Sequence, residues 1–261
     1  MNNDAVSSVI ISPLAMKPFI GVASDLILVR GYKKRYLALF SNLLGVAGCA
    51  ALLGLYHPGS LAAAIAAGPA AVQRLADVIV ACFFFMNLEG ATLDVLGEAK
   101  YSEFMRQRPE SGSSIVSFKF GTGLLGAVAT RAYVGPLADA GRFRLLFAIA
   151  LILLLAPAYP TWRGWIPEKR AAKETRQATL CPNCIFDRSM FLEKRTPFVV
   201  ITLSGLAAPL MSAVSTYVNL RAGIICSFFS LLALAAATFA VFPRRFFRIT
   251  VGLMLLVLSR I

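Results

Sequence analysis

The chain of 261 residues is 58% hydrophobic and only 15% charged, with a mean hydropathy of +0.72. This composition excludes a soluble domain, which is roughly 45–50% apolar and about 25% charged, and it also excludes intrinsic disorder. The net charge of +13 does not indicate nucleic-acid binding in so apolar a chain, because a basic excess also retains loops on the cytoplasmic side of a membrane. The sequence therefore predicts an all-α, polytopic membrane protein.

Eight apolar segments are candidate spanning helices, since a bilayer requires about 20 mostly apolar residues per helix. Pro13, Lys17 and Pro18 interrupt the first segment. A polar segment, residues 161–197, divides the spans into an N-terminal bundle of five in residues 1–160 and a partial C-terminal bundle of three in residues 198–261. The predicted spans are 6–28, 36–56, 72–96, 114–134, 143–159, 198–218, 222–242 and 246–261.

The distribution of lysine and arginine predicts the orientation. If the loop after the first span is cytoplasmic, the inside loops and helix ends hold 18 cations and the outside ones hold 5. The positive-inside rule favours this arrangement. We therefore expect segment 161–197 to be a cytoplasmic linker, and we expect no cleavable signal peptide because the N-terminus lacks a basic region.

Charged side chains inside the predicted spans are the strongest functional signal, because a charge at the centre of a spanning helix costs about 2.5–3.5 kcal/mol. Asp94 and Glu98 share one helix face, and basic residues lie on the next predicted helix. These groups either bind a solute or protons along a polar path, or form buried ion pairs and helix ends that reach the headgroups. The candidate substrate-binding or translocation residues are Lys17, Glu89, Asp94, Glu98, Lys119 and Arg131.

Other motifs predict packing rather than chemistry. Small residues recur on the second and fourth predicted helices and indicate close helix approach; they include Gly45, Gly48, Gly123 and Gly126. Cys181 and Cys184 form a C-x-x-C pair, but zinc would need two further ligands, and the chain has one histidine. No phosphate-binding loop, H-E-x-x-H or G-x-S-x-G signature occurs. We expect no metal, no cofactor and no enzymatic activity.

The region from Ser12 to Glu168 resembles a known transporter family. One stretch resembles the G-x-x-x-D…R-x-G-R-[KR] gating signature of the major facilitator superfamily, with a longer spacing after the aspartate. The run DVLGEAKYSEFMR, residues 94–106, and the runs VGPLADAGRFRLLF and GWIPE resemble the folate–biopterin transporters of kinetoplastid protozoa, although Ala99 replaces the usual glycine. On this match the gating motif consists of Gly21, Asp25, Arg30, Gly31, Lys33, Lys34 and Arg35.

The resemblance implies transport of pteridines or folates across the plasma membrane by alternating access, with lipid and a small-molecule substrate as the partners. It aligns the predicted spans with family helices two to nine of twelve, a partial major-facilitator-type bundle. We therefore expect a truncated form that transports nothing by itself. Two alternatives stay open: a fragment that assembles with or regulates a full-length relative, and a carrier of another solute such as S-adenosylmethionine. The sequence does not fix the oligomeric state.

The chemistry of the implied substrates suits the charged residues. Folates carry two carboxylates, which Lys17, Lys119 and Arg131 could bind. The N–C–N edge of a pterin ring can donate two hydrogen bonds to a carboxylate, either Glu89 or Asp94. One carboxylate could instead carry the coupling proton. Asp25 with Arg30 and the basic run would latch the cytoplasmic side of the closed form.

Overall fold

The structure is a computed structural model that describes residues 3–56, 59–165, 168, 177–181, 184–217 and 220–241. It is 87% helical, which confirms the predicted helical membrane class. A 3-10 turn, Pro109–Ser111, precedes α6, and the strands are β1 (Ile27–Val29), β2 (Gln177–Cys181) and β3 (Cys184–Asp187). The helices are α1 (Asn3–Ala15), α2 (Lys17–Leu26), α3 (Arg35–Leu55), α4 (Ser60–Ala66), α5 (Pro69–Gln107), α6 (Gly112–Asp139), α7 (Phe143–Leu155), α8 (Ala158–Arg163), α9 (Arg188–Glu193), α10 (Arg195–Tyr217) and α11 (Leu220–Val241).

Four helical segments in the described part of the chain are long and apolar enough to cross a membrane, namely Val6–Leu26, Arg35–Leu55, Pro69–Gln107 and Phe143–Arg163. They correspond to the first, second, third and fifth predicted spans. Shorter apolar helices cover parts of the sixth and seventh, at Arg195–Met211 and Phe228–Val241. The eighth predicted span, 246–261, lies outside the described residues, so the count of eight stays a prediction.

The contacts divide the chain into two units. The first unit consists of Met1–Gly31 with Ala172–Ile261, and the second consists of Tyr32–Ala171. The two helical bundles expected in residues 1–160 and 198–261 stay a prediction.

The first predicted span is divided at Met16 into α1 and α2. Pro18 is the second residue of α2, where the missing N–H removes no helical hydrogen bond, and the Met16 N–H donates to the carbonyl of Pro13 at 3.1 Å. The helix ends at Leu26, before the predicted end at residue 28, because Ile27–Val29 pairs with β3.

A three-stranded antiparallel sheet with the order β1-β3-β2 lies in the first unit, and the sequence did not predict it. Leu28 lies opposite Ile185, and Cys181 lies opposite Cys184. Part of the predicted polar linker is therefore a hairpin that adds β1 as its third strand. Branched apolar residues such as Ile27 favour strands when a partner edge is present, and that partner is more than 150 residues away along the chain.

In the second unit, α3 packs against α5 and α7. Leu52, Cys82 and Phe147, one from each helix, form the buried core there. A Cβ on Gly48 would lie 2.8 Å from the carbonyl oxygen of Cys82, so the glycine permits the close approach of α3 and α5 that the small residues predicted.

The small residues of α6 behave differently. None of the residues of α6 is buried, and a Cβ on Gly123 or Gly126 would meet nothing within 4 Å. The close packing predicted for these two glycines is therefore wrong for the described part of the chain, because no neighbouring helix reaches that face.

Candidate functional site

Glu89 is buried on α5 at the meeting point of three helices. Its side chain is 4% exposed. The Asn42 amide on α3 donates to Glu89 Oε1 at 3.0 Å and to the carbonyl oxygen of Leu154 on α7 at 2.8 Å. We call Glu89, Asn42 and the Leu154 carbonyl the Glu89 junction. It links α3, α5 and α7 by hydrogen bonds across an otherwise apolar interface.

The absence of a side chain at Gly45 makes room for the Glu89 junction. A Cβ at this position of α3 would lie 2.7 Å from Glu89 Cβ and 2.9 Å from its Cγ. Asn42 lies one turn before Gly45 on the same face. The sequence identified Glu89 as a candidate but missed Asn42. The sequence did contain a signal for it: Asn42 is an uncharged amide within an apolar span, three residues before a glycine that allows close helix packing.

A second polar cluster joins α5 to α6. Lys119 Nζ of α6 lies 3.1 Å from Asp94 Oδ1 and 3.2 Å from Glu98 Oε1 of α5. The Lys119 ammonium also lies 5.6 Å from the centre of the Tyr101 ring and 5.4 Å from that of Phe120. The opposite charges expected on these neighbouring helices thus do pair. Each of the three charged side chains is about one-third or more exposed, between 34% and 43%.

Lys17 and Arg131 belong to neither cluster. Lys17 begins α2 in the first unit and is half-buried. Arg131 is exposed on α6, and it forms no ion pair with any residue that the structure describes. The structure therefore does not bring Arg131 together with the acidic groups of α5, and the binding roles expected for both cations stay predictions.

The residues of the gating motif lie on α2, in the turn after β1 and at the start of α3. Gly21 and Asp25 lie on α2. Arg30 and Gly31 follow β1 with backbone φ angles of 52° and 84°, a left-handed conformation that glycine adopts without strain but arginine does not. Their expected role as a latch stays a prediction.

The basic run at the start of α3 is held by one carboxylate that the sequence analysis did not single out. Glu168 Oε1 accepts hydrogen bonds from the backbone N–H groups of Lys33 at 2.8 Å and Lys34 at 3.0 Å, and Oε2 accepts one from Arg35 at 3.2 Å. The first N–H groups of a helix have no partner within the helix, and a negative charge there is favoured by the helix dipole. Glu168 therefore caps α3.

We expect Glu168→Ala to lower the free energy of unfolding by about 1–2 kcal/mol, the usual effect of removing a helix cap. Three backbone donors would lose their acceptor at once. Glu168→Gln keeps an acceptor oxygen and should have a smaller effect. Thermal unfolding of the detergent-solubilised protein measures both. Glu110→Ala, at an exposed position of the 3-10 turn, is the matched control, and an equal loss in this control would contradict the capping role.

Comparison with known proteins adds the identity of the family. The chain matches the BT1 family over residues 2–246. Neither the curated proteins nor the solved structures contain a match. The match covers most of the sequence and agrees with the apolar helices found in the structure. The chain therefore belongs to the BT1 family of folate–biopterin transporters and is a multi-pass integral membrane protein.

Proposed function

We propose that the protein is a truncated carrier that binds pteridines and folates. In its full-length form it would move them across the plasma membrane by alternating access, in which two helical bundles move about a site near the membrane midplane. Membership of a family that transports pterin- and folate-type substrates supports the proposal. The single observation that carries it is the buried carboxylate of Glu89.

A buried carboxylate within a spanning helix is costly and usually functional. Asn42 donates to Oε1 of Glu89 and thereby fixes the orientation of the carboxylate. The second carboxylate oxygen, together with the remaining lone pair of Oε1, can accept hydrogen bonds from the N–C–N edge of a pterin ring. Hydrogen bonds to a charged acceptor are stronger than those to a neutral one, so this arrangement favours a flat ring with two adjacent N–H donors.

Lys119 supplies the positive charge that the carboxylates of folate require. In the structure its ammonium is neutralised by Asp94 and Glu98. A folate carboxylate can exchange with one of these two acids, and the negative charge that it adds is offset only if the displaced acid becomes protonated. The freed acid can take up the coupling proton, and this step would link substrate binding to proton movement.

Binding of radiolabelled biopterin, folate and S-adenosylmethionine by the purified chain tests the proposal. Uptake in cells that lack pteridine transport follows, and there we expect none by this chain alone. We expect saturable binding of biopterin and folate and none of S-adenosylmethionine. Saturable binding of S-adenosylmethionine alone would contradict the proposal and favour a carrier of cationic solutes.

Lys17→Ala should weaken the binding of folate more than that of biopterin, because only folate brings carboxylates to a cation. The expected difference is about ten- to hundredfold, the effect of one hydrogen bond to a charged group. Equilibrium binding of the two solutes to the same preparation measures it. Equal losses for both solutes would show that Lys17 does not distinguish them.

A further inference from the structure

A cavity of about 410 Å³ lies in the second unit, at the end where α3 begins. Its volume falls in the range of ligand pockets, roughly 300–1,000 Å³. The walls are mostly apolar and include Leu93, Leu96 and Phe104 of α5 together with Trp165. Glu89 does not line it, so the cavity is separate from the Glu89 junction.

Three cations and one acid line the cavity: Lys34, Arg35, Lys100 and Glu168. Both oxygens of the acid are already engaged by the backbone N–H groups at the start of α3. Lys100 pairs with Glu103 at 2.9 Å.

Arg35 donates from Nη2 to the carbonyl oxygen of Trp162, while its buried Nε has no hydrogen-bond partner among the described residues. Unpaired buried donors are uncommon. The cavity therefore keeps an excess of positive charge and hydrogen-bond donors beside an apolar wall.

We propose that this cavity binds an anionic phospholipid from the leaflet on the predicted cytoplasmic side. The phosphate of the headgroup contacts Lys34, Arg35 and Lys100, and the first part of an acyl chain covers the apolar wall. A free phosphate would use the cations but leave the wall exposed, whereas a zwitterionic lipid would not match the charge. Basic pockets between spanning helices on the cytoplasmic side commonly hold anionic headgroups.

Tryptophan fluorescence provides a local measurement, because the chain has only two tryptophans. Trp165 lines the cavity and Trp162 does not. In a Trp162→Phe background, which keeps the carbonyl that accepts from Arg35, Trp165 is the only emitter. The full chain is placed in phosphatidylcholine vesicles that contain increasing fractions of phosphatidylserine with brominated acyl chains, since bromine quenches tryptophan on contact. We expect saturable quenching at a lower lipid fraction than with brominated phosphatidylcholine.

Two variants test the cavity in different ways. Lys34→Gln with Lys100→Gln should weaken the preference for phosphatidylserine by about fivefold for each lysine, the effect of one cation near an anionic lipid. Gly97→Leu should remove the preference by filling the cavity, because Gly97 lines it and a Cβ there meets nothing within 4 Å. Leucine also favours the helix over glycine, so this variant tests the cavity without removing either lysine.

Arg106→Gln with Arg108→Gln is the matched control, since both arginines are exposed at the same end of α5 and neither lines the cavity. The control should keep the preference within about twofold, less than the effect of one cation at the lipid. Equal quenching by the two lipids, or an equal loss in the control, would overturn the proposal. Reversal of the quenching by inorganic phosphate would assign the site to free phosphate and would also overturn it.

Discussion

Glu89→Gln should reduce the affinity for biopterin by about ten- to hundredfold, the effect of losing a hydrogen bond to a charged group. Glutamine has nearly the same volume and keeps an oxygen for the Asn42 amide, so the Glu89 junction should remain intact. What is lost is the negative charge and the second acceptor that a pterin ring requires. Equilibrium binding of radiolabelled biopterin to the purified protein measures the change.

Glu103→Gln is the matched control for this experiment, because Glu103 lies on the same helix and is exposed. An unchanged affinity in Glu89→Gln would contradict the role proposed for this carboxylate in substrate binding. Uptake by the full-length form distinguishes the remaining alternative: if binding is retained while uptake against a gradient is lost, Glu89 carries the coupling proton instead.

Gly48→Ala should lower the free energy of unfolding by about 1–3 kcal/mol, the usual cost of overpacking. The new methyl group would lie 2.8 Å from the carbonyl oxygen of Cys82. This atom belongs to the backbone of α5, so it cannot turn away as a flexible side chain would. The two helices would have to separate along the interface that contains Leu52 and Cys82. Thermal unfolding in detergent measures the loss.

Gly54→Ala separates packing from helix propensity. Gly54 lies on the same helix, and a Cβ there would meet nothing within 4 Å. Alanine favours a helix over glycine by about 0.8–1.0 kcal/mol, so this variant should be stabilised while Gly48→Ala is destabilised. Shifts of the same sign and size in both variants would show that α3 and α5 do not meet closely at Gly48.

The positions of the helices could be predicted where membrane crossing and helix formation coincide. The second predicted span, 36–56, matches α3, Arg35–Leu55, because basic residues flank one end and His57 and Pro58 the other. The third span, 72–96, is shorter than α5, Pro69–Gln107. Hydropathy detects only the part of a helix that lies in lipid. The polar residues after Leu96 are good helix formers, so α5 continues beyond the predicted span. Pro109 disfavours a helical conformation in the residue before it, and α5 ends there.

The charged groups could be predicted from the sequence only where their partners lie on consecutive helices. Lys119 follows Asp94 and Glu98 on the next helix of the chain, and the three do meet. Glu168 lies 133–135 residues from the N–H groups that it caps. Periodicity within one segment carries no information about such a contact. The sheet was missed for the same reason.

The helix α5 connects the Glu89 junction to the ion pair of Lys119. Its 39 residues span about 58 Å, which exceeds the roughly 30 Å thickness of the hydrocarbon core. Glu89 and Glu98 are nine residues apart, which corresponds to a rotation of about 900° and places them on opposite sides of the helix axis, about 13 Å apart along it. The hydrogen bond from Asn42 on one side and the ion pair to Lys119 on the other thus resist rotation of the helix about its axis. A solute that draws Glu89 away from Asn42 would release one of these two restraints. The helix α5 could then rotate about its axis, and this rotation would strain the ion pair with Lys119. In this way α5 would couple substrate binding at Glu89 to a change at Lys119.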